Sequence, residues 1–324
     1  MGKPVDIVKL ASALRDSEVF RNKRHIGPVA AAFTELIQAF GIRNGDDAAA
    51  LPDGEGYLLL AAEGIVTSMV RLNPYLAGRC AVLANVNDIY AMGGRPLAMV
   101  DVIGSPDAAS AKEVVRGMRD GAMRYRVPVV GGHVLHTMDG SSSVALAILG
   151  RAKRLMTSFD AHPGDHLMLV TRTNGRWLAD MGYWNCTLPE NDPQLPDHLE
   201  LLPQATEAGF VRAGKDVSMA GIAGTTVMLA ESSEVGAEID LDALTPPPGA
   251  ALAHWMLAFM SYGFLLAVPP VNKPAVVKHF SVHGVSVKSI GSFREGHKVM
   301  LRQGAVAAEL WDFAAQPFAA GGVL

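Results

Sequence analysis

One alternation constrains the fold more than any other feature of this chain. Residues 57–63 (YLLLAAE) and 97–103 (LAMVDVI) each read as a strand apolar on both faces, and the Ala-rich run at about 75–92 between them has the length and composition of a helix. A second helix at about 107–125 follows. Val127-Pro128-Val129-Val130 then leads into Gly131-Gly132, and residues 143–150 (SVALAILG) make another strand. Strand, helix, strand, twice over, specifies a sheet with helices on its faces, so an α/β (α+β) domain closes near residue 155. Strands that are apolar on both faces need cover on both. A single domain of this size is short of it, and a homodimer is expected.

The break from RAKRLMTSFDAHPG to the strand at 166–171 marks the domain boundary. Beyond it come a helix near 218–234, the turn-rich TPPPGA, a helix near 250–260, a strand at 263–268, a helix at 273–283 and a strand at 286–292, a second α/β domain. Residues 185–205, rich in proline and without periodicity, read as an irregular insertion. Val29, Phe33, Leu36, Ile37 and Phe40 recur at helical spacing before Gly41, so 28–40 reads as a helix. Everything before it reads as a mobile arm, basic through Arg15, Arg21, Lys23 and Arg24. The expected division is an arm at 1–27, an N-terminal α/β domain at 28–155 and a C-terminal α/β domain at 156–324.

A chain of 324 residues can bury two cores without staples. Its charges are interspersed and sum to −4, which leaves no basic stripe for a phosphodiester backbone, so nucleic acid is excluded and the partner is a small molecule. Cys80 and Cys186 stand far apart, without metal-knuckle spacing, which fits a reducing compartment. No stretch approaches the 18 uninterrupted apolar residues of a membrane span, and the first twenty residues have no signal-peptide core. The expectation is a cytoplasmic protein.

Three segments carry chemistry. Gly45-Asp46-Asp47-Ala48-Ala49 delivers adjacent carboxylates from a glycine turn, hard oxygen donors of the kind that hold Mg²⁺ on nucleotide phosphates; the same turn also occurs simply solvated. In the helix at 75–92, Asn85 and Asp88 lie three apart with Asn87 beside them, so an amide and a carboxylate aim at one point, or else bond to each other inside the core. Val129-Val130-Gly131-Gly132-His133 is a strand opening into paired glycines whose amides can approach a ligand, with His133 either a functional or a capped structural histidine.

Together with the strand acid Glu63, these segments resemble the superfamily of aminoimidazole ribonucleotide (AIR) synthetase, thiamine-monophosphate kinase, selenophosphate synthetase and the hydrogenase maturation dehydratase. Gly45–Ala49 looks like the family's GDDAA turn, residues 84–97 (ANVNDIYAMGGRPL) are similar to a selenophosphate synthetase stretch, Gly131-Gly132-His133 matches GGH, and Lys215-Asp216-Val217-Ser218 resembles the DVSDG segment. The resemblance implies two α/β domains, with N-terminal domains forming a β-barrel across a dimer. It implies ATP with Mg²⁺ held by Asp46, Asp47, Glu63 and Asp88. Asn85, Asn87, Gly131, Gly132, His133 and Asp216 would line the nucleotide and substrate, and Lys23 would fold over the phosphates, making Asp46, Asp88 and Lys23 the catalytic set.

The departures narrow the function. Phe20 stands where a selenophosphate synthetase carries cysteine or selenocysteine, the chain ends in Gly-Gly-Val-Leu where the hydrogenase maturation enzyme ends in cysteine, and His133 replaces the acid of AIR synthetase. Met219 replaces the second acid of DVSDG. Residues 261–270 (SYGFLLAVPP) resemble a thiamine-monophosphate kinase segment without its acids. Thiamine-monophosphate kinase is thus the nearest of the named activities, and the resemblance points to an AIR synthetase-related branch: an ATP- and Mg²⁺-dependent phosphotransferase, or an enzyme that activates a small substrate with ATP. The alternative is a non-catalytic nucleotide-binding regulatory subunit on the same fold.

Overall fold

The computed structural model describes residues 5–33, 35, 37, 42–187 and 192–319. Among the described residues, an N-terminal unit comprises those of Asp47–Leu155 and Pro189–Glu207, and a C-terminal unit comprises those of Met1–Asp46, Met156–Leu188 and Ala208–Leu324.

The chain opens with helices α1 (Ile7–Arg15), α2 (Glu18–Lys23) and α3 (Ile26–Ala31), which belong to the C-terminal unit. This differs from the expected mobile arm. Ile7, Leu10, Ala11 and Leu14 fall at i, i+3, i+4 and i+7, and all four are buried. Asp6 caps α1 by accepting the Lys9 N–H at 3.1 Å, and Ser17 caps α2. Phe20 is fully buried, its ring 4.6 Å from Phe318 and 5.7 Å from Trp311. Residues 34, 36 and 38–40 of the helix expected at 28–40 lie outside the described residues, and α3 ends at Ala31.

The N-terminal unit holds β1 (Ala49–Asp53), β2 (Gly56–Ile65), α4 (Thr67–Leu72), α5 (Pro74–Ala91), β3 (Arg95–Ser105), α6 (Ala108–Tyr125), β4 (Val129–His136) and β5 (Ser143–Ala152). Its sheet runs β1-β2-β5-β3-β4, antiparallel except for the parallel pair β3–β4. Helix α5 is buried almost all round. It meets α6 backbone to backbone because both contribute glycine at the crossing: a Cβ on Gly117 would lie 1.9 Å from the Tyr75 carbonyl oxygen, and one on Gly78 2.1 Å from that of Val114.

Gly131 and Gly132 do not form a turn. They lie inside β4, and a Cβ on Gly132 would sit 2.5 Å from the Asp101 carboxylate on β3, which would have to turn away. The segment expected as an irregular insertion contains helix α7 (Leu195–Glu207), which belongs to this unit. Arg95 fastens α7 through ion pairs to Glu200 and Glu207, both at 2.5 Å, and these hydrogen bonds hold the Glu207 carboxyl below its ordinary range.

The C-terminal unit continues with β6 (His166–Thr171), β7 (Arg176–Leu178), β8 (Tyr183–Asn185), β9 (Ala213–Asp216), α8 (Gly221–Ser232), β10 (Gly236–Asp240), α9 (Leu252–Met256), β11 (Phe259–Met260), β12 (Gly263–Val268), α10 (Lys273–Ser281), β13 (Ser286–Arg294), β14 (Lys298–Gln303) and β15 (Val306–Asp312). Seven strands form one sheet, β15-β14-β10-β13-β6-β12-β9, and β11-β8-β7 form a small second one. The helix expected at 250–260 is only the short α9. Helix α1 lies against β14 and β15, so the first helix covers the last hairpin. No helix among the described residues is long and apolar enough to cross a membrane.

Candidate nucleotide and metal site

Asp47 and Asp88 come together. Each offers a carboxylate oxygen within 4.8 Å of the other, Asp47 from the turn after Gly45 (φ +101°) and Asp88 from the last turns of α5. Two ionised carboxylates at that separation repel by about 3 kcal/mol at an effective dielectric of ~20. A divalent cation reverses the sign of that interaction, and oxygen-only donors suit Mg²⁺. Asp88 is 6% exposed, and Asn85 and Asn87 beside it are as deeply buried. Asn85 Nδ2 donates to the Ala81 carbonyl at 2.9 Å, whereas its Oδ1 has no hydrogen-bond partner among the described residues. A buried amide oxygen left this way costs roughly 1–3 kcal/mol, which a ligand or bound water at this point would recover. The donor set therefore fits a hydrated Mg²⁺.

Asp46 does something different. Its carboxylate accepts the Ser158 N–H at 2.9 Å and the Ser158 hydroxyl at 2.8 Å, and Ser158 is completely buried, so Asp46 ties the turn to the loop that precedes β6. Glu63 stands outside the 4.8 Å group. It pairs in register with Leu146, Leu146 with Asp101 and Asp101 with Gly132, so Glu63, Asp101 and Gly132 share one row and one face of the sheet. Asp101 was not among the expected site residues. An acid inside an otherwise apolar strand, LAMVDVI, was the available signal, and desolvation raises its carboxyl above the ordinary range.

His133 pairs with Val102 and Val102 with Ala145, which places it on the opposite face from Glu63 and Asp101. That opposite face is apolar and uncovered: Leu60, Val100, Val102 and Leu149 are between 38% and 51% exposed along it. Gly131 has open space where a side chain would be.

In the C-terminal unit, Asp216 ends β9 at 4% exposure, and Lys23 of α2 donates to the Ser218 hydroxyl at 3.2 Å in the turn that follows. That turn is strained. Ala220 has φ +74° and Gly221 +59°, and Gly221 also lacks room for a side chain, a Cβ there lying 2.4 Å from Leu257 backbone. Met219, in place of the expected acid, is 41% exposed.

Residues 45–152 match the family model of the AIR synthase related protein N-terminal domain, and residues 162–302 that of its C-terminal domain. An uncharacterised protein of Synechocystis is 45% identical over 85% of this chain and 86% of its own length. The selenide, water dikinase of Carboxydothermus hydrogenoformans is 27% identical over 65% of this chain and 63% of its own. Among solved structures, ThiL complexed with AMPPCP and TMP superposes with a TM-score of 0.65 at 18% identity, covering 86% of this chain and 96% of that one, a likeness of fold. With both domain models matched in order over most of its length and this fold beneath them, the chain belongs to the AIR synthase-related family.

Proposed function

We propose that this protein binds ATP with Mg²⁺ and transfers a phosphoryl group to, or activates, a small substrate. The observation that carries the reading is the Asp47–Asp88 pair set beside buried amides on α5. Asp47 and Asp88 would hold Mg²⁺, which would supply neutralisation of the charge developing on phosphate. Asp47 and Asp88 hold that charge in place, Asn85 and Asn87 orient it, and Asp46 acts by fixing the turn through Ser158 rather than as a ligand. Glu63 and Asp101 face the same side of the sheet and would supply further oxygens around the ion.

The relatives support ATP chemistry on this fold, since selenide, water dikinase is one of them and ThiL was solved with AMPPCP. The apolar face at Leu60, Val100, Val102 and Leu149 is read as the surface that joins a second copy in a homodimer, and the cytoplasm as the working compartment. Met219 favours a second reading, a nucleotide-binding subunit without turnover. ATP consumption measured with and without Mg²⁺ in the presence of small carboxylates, amides and alcohols separates the two. Mg²⁺-dependent turnover lost in Asp88→Asn supports the enzyme; tight ATP binding with no turnover against any acceptor supports the subunit. Light scattering tests the dimer, and a monomer at micromolar concentration contradicts it.

A further inference from the structure

The C-terminal unit contains a cavity of about 240 Å³ that the nucleotide reading does not use. Its floor is one face of the large sheet. Thr171 pairs with Ser286 and Leu169 with Lys288, so these four, with Ile290, project from β6 and β13 on the same side. Asp216 belongs to the other side: it pairs with Phe264, and Phe264 with Val170, the row between the two floor rows. The cavity and Asp216 thus lie at the same end of the sheet on opposite faces.

Two walls are aromatic or rigid. Trp184 on β8 and Trp255 on α9 stand edge to face, with centroids 5.8 Å apart and planes at 86°. The Trp184 indole N–H is already spent on the Arg172 carbonyl at 3.0 Å, so toward a ligand this ring offers only its π surface and edge. Pro246, Pro247 and Pro248 close the opposite side. The charged groups are Arg172, 7% exposed and donating to the Cys186 carbonyl at 3.0 Å, and Lys288, which is exposed and makes no ion pair among the described residues. Among the described residues, no carboxylate lines the cavity.

We infer that this cavity is a second small-molecule site, for a single planar ring that carries a carboxylate. The indoles and prolines take the ring, and Lys288 takes the charge. The volume lies below the ~300–1,000 Å³ of pockets for drug-sized ligands, which selects one ring over a nucleotide. An acid in the lining would repel such a ligand, and the described lining carries positive charge instead.

Benzoate is the probe and tryptophan emission the readout, since two of the four tryptophans line the site. Saturable quenching is expected at millimolar benzoate or below, with benzamide, the neutral isostere, binding at least about tenfold more weakly and inorganic phosphate failing to reproduce the quench. Lys288→Met, a change at an exposed side chain, should weaken benzoate about tenfold while Lys288→Arg restores it. Benzamide binding as tightly as benzoate, phosphate quenching equally, Lys288→Met leaving affinity unchanged, or no saturation by about 10 mM would each overturn the assignment. The outcome is independent of ATP binding, so the two readings fail separately.

Discussion

Phe20→Ala tests whether the first helices are part of the folded C-terminal unit. Phe20 is fully buried between Phe318 and Trp311 and rests over α8, where a Cβ on Gly224 would come within 3.6 Å of its ring. Truncating a buried phenylalanine costs about 3–5 kcal/mol, and two lost ring contacts at ~0.5–1.5 kcal/mol each argue for the upper half of that range. The rest of the unit need not unfold to register the loss, because α1 and α2 can undock. The cost then appears as a greater population of the undocked arm, on the order of 10³-fold. Trypsin reads this at Arg21, Lys23 and Arg24, whose cleavage follows the open population when opening is fast relative to cutting. Wild-type protein should be cut slowly there without any nucleotide, the variant at least a hundredfold faster, with Phe20→Leu between them. Rapid cleavage of wild type, or a difference below about tenfold, would refute the docking and restore a mobile arm.

Gly117→Ala should destabilise the protein by about 3 kcal/mol or more and weaken ATP binding, because the new methyl drives α5, the helix of Asp88, off α6; a urea-melt shift under 1 kcal/mol contradicts the close crossing. Ala220→Gly should stabilise by about 0.5–1 kcal/mol, the left-handed cost of alanine at φ +74° exceeding the entropy lost by glycine; destabilisation would count against that backbone. Asp101 has its carboxyl raised by desolvation, so the native state binds more protons than the unfolded chain above the ordinary carboxylate pKa. Stability in the absence of Mg²⁺ should fall as pH rises through that window and then level off. Asp101→Asn should remove this fall, and identical pH profiles of urea midpoints would contradict it.

Long, uninterrupted elements were legible in the sequence. The strands at 57–63 and 97–103, the helix between them and the one at 107–125 rest on local composition, and β2, β3, α5 and α6 lie over them. What was not legible depends on distant partners. The spacing of Ile7, Leu10 and Leu14 declares an apolar face, but the surface that buries it, β14 and β15, comes about three hundred residues later. Pro203 argues against a helix, and α7 forms nonetheless because Arg95 anchors Glu200 and Glu207. Gly131-Gly132 has turn propensity, yet pairing with β3 and the Asp101 carboxylate make it a strand. At the site, the Gly-Asp-Asp turn and the Asn-Val-Asn-Asp helix acquired meaning only through the family resemblance. Division of labour between adjacent acids, Asp46 to Ser158 and Asp47 toward Asp88, required the fold.

Calorimetric titration of ATP into wild type, Asp88→Asn and His133→Ala, each with and without Mg²⁺, tests the central claim most directly. Asp88 supplies charge and a metal ligand, whereas His133 lies on the opposite face of the sheet from Glu63 and Asp101. The account predicts Mg²⁺-dependent binding in wild type and His133→Ala that weakens at least a hundredfold in Asp88→Asn. ATP binding by Asp88→Asn with wild-type affinity, or binding indifferent to Mg²⁺, would contradict it.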